Sequence, residues 1–211
     1  MKLSFFLISF CLIFLISCDL IPSRYPGKRQ GDPAAPIMIE MHGDLLCPAC
    51  AEAWPTMKEV LVHYGDKVVF YFHTFPLPYH TASFHVSQAS NVIVKLSNNT
   101  LTYFWRYLDD LYIQSLQQQY WNDKIATLTD TEVVDEIAKY ISSNYPFSYT
   151  DVINGMQDEN INMDTRVAWK FACARGIYGT PMFYINGMLC SDIGSGSTLQ
   201  DWEKLIDGLL A

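Results

Sequence analysis

The chain has 211 residues, half of them hydrophobic and 17% charged, enough apolar material for a full core, which excludes disorder as its general state. Its 14 Lys and Arg against 22 Asp and Glu give a net charge of -8, and with no basic run the footprint of a nucleic-acid binder is absent. Six cysteines are far too few to staple a chain of this length, so each must be read in its own surroundings.

Lys2 followed by the uncharged run Leu3 to Ser17 has the short apolar region of a signal peptide and is too short to span a bilayer comfortably, so residues 1–18 are expected to be a signal peptide. Leu15-Ile16-Ser17-Cys18 also resembles the bacterial lipobox, in which Cys18 becomes a lipidated N-terminus. Either outcome exports the protein to a compartment where disulfides persist. Asn98-Asn99-Thr100 is a glycosylation acceptor that matters only in a eukaryotic secretory pathway. Pro22, Pro26, Pro33 and Pro36, with Gly27 and Gly31 among them, make residues 19–35 an exposed lead-in.

Ile37 to Met41 is an apolar run of strand type that ends at His42-Gly43-Asp44, and a helix from about Pro48 to Tyr64 follows, with Trp54, Met57, Leu61 and Tyr64 at helical spacing and Gly65 at its end. Lys67 to Phe72 reads as a buried strand closed by Pro76 and Pro78. The middle of the chain is helical. One stripe runs Ala82, Val86, Ala89, Ile93, Leu96 and another Leu101, Phe104, Trp105, Leu108, Leu111. A third helix opens at the capping box Thr129-x-x-Glu132, a short one follows Thr150, and another from about Asp164 to Arg175 is expected to bury Val167, Ala168, Phe171 and Ala172. Met182 to Ile185 and Met188 to Cys190 flank Asn186-Gly187, the strongest hairpin turn in the chain. A last helix from about Thr198 turns Leu199, Trp202, Leu205, Ile206 and Leu209 inward. The fold class is therefore α/β: residues 36–211 form one domain, with a helical insertion at about 80–162 between the second strand and the final hairpin.

The chemistry gathers at Cys47-Pro48-Ala49-Cys50. A CxxC at a helix start sets the first thiolate against unsatisfied backbone donors and the positive end of the dipole. Cys47 is then the exposed nucleophile, and Cys50, one turn on and more buried, is the resolving thiol. The same spacing also supplies half of a structural zinc site, but Cys173 and Cys190 have no companion ligand nearby and His73, His80 and His85 follow no Cys/His pattern, so no metal is expected.

The CxxC with Pro55 five positions later, together with the distant Gly179-Thr180-Pro181-Met182-Phe183-Tyr184-Ile185-Asn186-Gly187, resembles the thioredoxin superfamily and, within it, the DsbA-like disulfide-oxidoreductase branch. Asp44 through Tyr64 and Phe75-Pro76-Leu77-Pro78-Tyr79-His80 are similar to secreted eukaryotic members of the fold. The resemblance implies a thioredoxin-like fold, a cis-proline at Pro181, and a Thr180 that presents backbone groups to a bound peptide. It makes Glu40 a candidate proton relay beneath the resolving thiol, with a surface glutamate as the plain alternative. Pro48-Ala49 lacks the histidine of the strongest oxidases of the branch, so the oxidising power is expected to be moderated. Cys173 and Cys190 are candidates for a structural disulfide in an exported protein, or else buried thiols.

The expected function is thiol:disulfide exchange with cysteines of exported polypeptides. The Cys47-Cys50 disulfide is its own redox group, without further cofactor, and an unidentified redox partner recharges it. The expected state is a monomer in the ER lumen or outside the cell, with the bacterial periplasm as the alternative. A redox-inert module that binds peptides through the same fold is the second reading, and a structural metal protein the third.

Overall fold

The computed structural model describes residues 25–211, so the expected signal peptide, Cys18 and the start of the lead-in lie outside the described residues. Five strands form one sheet in the order β1-β3-β2-β4-β5. They are β1 (Lys28–Gln30), β2 (Ile37–Gly43), β3 (Val68–Thr74), β4 (Met182–Ile185) and β5 (Met188–Cys190). β2 is central: it runs parallel to β3 across the crossover helix α1 (Pro48–Tyr64) and antiparallel to β4. A parallel neighbour requires such a crossover, whereas β4 and β5 need only the tight turn. Asn186 and Gly187 make that turn at φ of 50° and 82°, and Asn186 Oδ1 accepts the Met38 amide at 2.7 Å, which pins the hairpin to the start of β2.

Between β3 and β4 come α2 (Ser83–Leu96), α3 (Thr102–Tyr112), α4 (Asn122–Ile125), α5 (Asp130–Asn144), α6 (Tyr149–Gln157) and α7 (Glu159–Ala174). α8 (Leu199–Leu210) ends the chain. The capping boxes at Thr129/Glu132 and Thr198/Asp201 are both closed, so the starts of α5 and α8 follow from side-chain chemistry alone. Helices cover both sheet faces, which is why β2 and β3 read as nearly continuous buried runs. Ile37, Ile39 and Met41 pack with Trp54, Met57 and Val60 of α1, and Phe183 meets the fully buried Trp202 of α8 edge-to-face at 5.2 Å. Alternate residues Glu40 and His42 face the other way, where His42 lies against Phe171 of α7.

Three expectations need correction. The lead-in is not without a structural element: Lys28–Gln30 pairs antiparallel with Phe70–Phe72 as an edge strand, because backbone pairing needs no apolar side chain and charged residues suit an edge. α7 begins at Glu159 rather than near Asp164, since the Asp158 side chain caps the Asn160 amide. Its phase leaves Val167 48% exposed, and Leu209 near the end of α8 is 50% exposed.

Candidate active site

The loop after β2 carries the candidate pair, Cys47 and Cys50. Cys47 is the N-cap of α1 in extended backbone with Pro48 in the first turn, where a missing N–H costs nothing. Its sulfur therefore stands before the free amides of α1, and the amides of Cys50 and Ala51 both bond to its carbonyl. Cys50 lies one turn on, fully buried. Gly43 makes room for the Phe72 ring, since a Cβ there would come within 2.7 Å of it while standing at an ordinary 3.6 Å from the Cys50 sulfur.

The two thiols are driven apart electrostatically. Cys47 is held down to about 6, first by the hydrogen bond from the Cys50 thiol, against burial, and then by the Thr180 hydroxyl and the amides of Cys50 and Ala49. Burial pushes Cys50 well above the ordinary cysteine range. Cys47 is itself only 6% exposed, more enclosed than an open nucleophile, because the Thr180 carbonyl closes over it and accepts the Cys47 S–H at 3.4 Å. The Thr180–Pro181 peptide is cis, and β4 starts at the next residue. Residues 133 positions apart thus form one surface. Alkylation of the reduced protein across pH is expected to label Cys47 with a midpoint near pH 6, while Cys50 stays unreactive through neutral pH. Labelling Cys50 first would reverse the roles.

The helical block fixes the loop from above. Tyr112 of α3 donates its hydroxyl to the Asp44 carbonyl at 2.8 Å, and Trp121 donates its indole N–H to the Leu46 carbonyl at 3.2 Å. The buried Asp44 carboxylate accepts from the amides of Leu46 and Leu77 at 2.9 Å each, from His80 Nδ1 at 2.7 Å and from the Ser83 hydroxyl. Asp44 thereby ties the cysteine loop to the segment after β3. Asp44 and His80 are 36 positions apart, and the spacing alone gave no sign of this contact.

Glu40 is neither beneath the resolving thiol nor on the surface. With alternating side chains, Glu40 and Gly43 lie on opposite faces of β2, and it is the Gly43 face that looks towards the Cys50 sulfur, 3.6 Å from where a Cβ at Gly43 would stand. Glu40 instead receives Arg175 at 2.6 and 2.9 Å, Tyr25 at 2.7 Å and His73 at 3.1 Å. Burial raises its pKa, but these donors outweigh that and hold the carboxyl at about 2. Arg175 lies 4.3 Å over the Tyr184 ring and also bonds Tyr25. His42 stacks on His73 at 4.6 Å, with both ring nitrogens buried and without a hydrogen-bond partner among the described residues, and burial lowers its pKa to about 3. Glu40, His42 and His73 have the spacing of a metal centre, their ligand atoms within 4.8 Å of one another. The arrangement suits an ion pair better: Arg175 takes both Glu40 oxygens, and two stacked imidazoles do not aim their lone pairs at one point.

Among the described residues, Cys173 and Cys190 have no disulfide partner and do not form the bond with each other considered for them. Cys173 is exposed near the end of α7, and Cys190 is partly buried at the end of the edge strand β5.

The family model described as thioredoxin matches residues 25–208. An Na(+)/H(+) antiporter, NhaA 1 of Mycolicibacterium gilvum, is 24% identical over 163 residues, which is 75% of this chain and 23% of the antiporter. NhaA 1 of a Mycobacterium species is 39% identical over 62 residues, 29% of this chain and 10% of that one. The chain thus matches a tenth to a quarter of the length of these curated relatives. Among solved structures, DsbA of Chlamydia trachomatis superposes with a TM-score of 0.65 at 17% identity, covering 90% of this chain and 94% of that one. Oxidised BdbD of Bacillus subtilis gives 0.60 at 17% identity, over 86% and 91%.

Proposed function

Because the chain belongs to the thioredoxin family, we propose that it is a thiol:disulfide oxidoreductase that exchanges disulfides with cysteines of exported polypeptides through Cys47 and Cys50. The observation that carries this reading is the placement of the two thiols: Cys47 caps the start of α1 with the Thr180 carbonyl at its sulfur, and Cys50 is fully buried one turn on, so the first is acidified and the second kept protonated.

The exchange balances without a further cofactor. The Cys47 thiolate attacks one sulfur of a partner disulfide, forms a mixed disulfide and expels the other sulfur as a thiolate. Cys50 then loses its proton and attacks the Cys47 sulfur, closing Cys47–Cys50 and releasing the second partner thiolate, so two electrons pass to the partner. Oxidation of a partner dithiol is the same path run backwards. A second redox protein must restore the starting state in either direction. Thr180, with its carbonyl at the Cys47 sulfur and Pro181 leading into β4, is the surface against which a peptide would lie. The apolar run ahead of Cys18 supports export, and the bacterial sources of the similar proteins favour a bacterial envelope over the ER lumen.

The test is a trap. Cys50→Ala, expressed with its leader and quenched with acid, is expected to accumulate covalent adducts with exported proteins that collapse on reduction, while Cys47→Ala accumulates few. A redox-inert binding module would hold partners noncovalently, and equal sparse adducts from both variants would count against exchange.

A further inference from the structure

Resting on the exchange reading above, we infer that His80, held as an imidazolium by Asp44, is a positioning residue that supplies from outside the CxxC motif the positive charge Pro48–Ala49 does not provide to Cys47. Asp44 lies at the centre of this arrangement. Its carboxylate is fully buried and its two oxygens take four donors, of which three are neutral: two amides and the Ser83 hydroxyl. A buried acceptor so saturated with donors is an ionised one. Asp44 also bonds the Cys47 amide through its own carbonyl at 3.0 Å, so a fixed negative charge stands beside the residue that must itself become negative. A negative charge in that position opposes formation of the Cys47 thiolate.

Among the described residues, the donor on Asp44 that can carry a positive charge is His80, whose Nδ1 lies 2.7 Å from the carboxylate. Its side chain is 20% exposed, so it exchanges protons with solvent while staying docked. The groups around it are of both signs. Cys47 and Asp44 favour the imidazolium, whereas Arg166 and Lys170 of α7 line the same cavity as His80 and oppose it, and the neutral Tyr79 ring lies edge-on at 5.0 Å. The balance favours protonation: the Asp44 hydrogen bond raises the His80 pKa against burial, and the charges of Asp44 and Cys47 add to it. The segment cannot drift away from Asp44, because Asn122 of α4 bonds the Thr81 amide at 2.9 Å and the Tyr79 carbonyl at 2.7 Å.

The consequence is a linked titration. Forming the Cys47 thiolate strengthens proton binding at His80, and consuming that thiolate in a disulfide weakens it. The decisive comparison is wild type, His80→Gln and His80→Lys, each titrated by thiolate ultraviolet absorbance and equilibrated with glutathione at pH 7. Gln can still donate to Asp44 but carries no charge. His80→Gln is expected to raise the Cys47 midpoint from near 6 by about one unit. That shift moves the glutathione equilibrium about fivefold towards the protein disulfide, about 20 mV more reducing. His80→Lys is expected to recover at least half of the shift. A His80→Gln protein with the wild-type midpoint and potential would overturn the inference while leaving exchange intact. A wild type whose Cys47 titrates like a free thiol would bring down the exchange reading, and this inference with it. Should His80→Gln fail to fold, His80→Lys decides: a potential near wild type supports the charge, and one displaced fivefold or more overturns it.

Discussion

Cys47→Ser is expected to lose disulfide exchange altogether, a fall of about a thousandfold or more in turnover, equivalent to about 4 kcal/mol of barrier. A serine hydroxyl does not ionise near neutral pH and forms no mixed disulfide, so nothing at the start of α1 replaces the thiolate. Cys50→Ala should behave differently. It keeps the first attack and loses the second, so a single-turnover assay with an oxidised peptide gives one equivalent of released thiol and then stops. Because the Cys50 thiol is the main group holding Cys47 near 6, the first step in Cys50→Ala should also slow below neutral pH as the midpoint rises. The measurement is stopped-flow release of the first thiol beside steady-state turnover. Wild-type turnover by Cys47→Ser would remove Cys47 from the chemistry.

The second large effect concerns stability. Glu40→Ala strands Arg175 and His73 in an enclosed place without their acceptor, and breaking a buried pair from one side costs about 3–5 kcal/mol. Urea unfolding at pH 7 should show the loss as a lower midpoint at unchanged slope. The sign of its pH dependence follows from the carboxyl. Held at about 2 against an ordinary 4.5, Glu40 stabilises the fold fully above pH 4.5, and that contribution is lost as pH falls towards 2. The gap between wild type and Glu40→Gln should therefore narrow in acid. A gap that widens would mean that Glu40 is protonated in the folded protein.

Much of this architecture could be read from local chemistry. Pro48 and Gly65 bound α1, Thr129 and Glu132 open α5, and Asn186-Gly187 turns the final hairpin, each because one or two side chains dictate the backbone where they stand. The errors share a different cause. Lys28–Gln30 carries no apolar signal, since an edge strand needs only its amides and carbonyls, and β3 supplies their partners from about 40 positions away. The place of Glu40 is not legible in the sequence because alternation tells which residues share a face but not which face a crossover helix covers; its partner, Arg175, is 135 positions distant. At the site itself, the CxxC and the distant Thr180-Pro181 could be recognised as motifs. Asp44 and His80 could not, because their bond exists only once the loop after β2 and the segment after β3 are side by side.

The separation between Cys47 and Thr180 also has a meaning in time. A ribosome adding about 5–20 residues per second needs roughly 7 to 27 s to travel the 133 positions between them. During that interval Cys47 and Cys50 have been made but the carbonyl that closes over Cys47 has not, and the sheet lacks β4 on one side of β2. The unfinished polypeptide is then an open dithiol rather than the proposed exchanger, a candidate for capture by the same class of chemistry that we propose for it. Its maturation would accordingly depend on the redox state of the space it enters, and a strongly oxidising one would lock the pair before the surface that governs it exists.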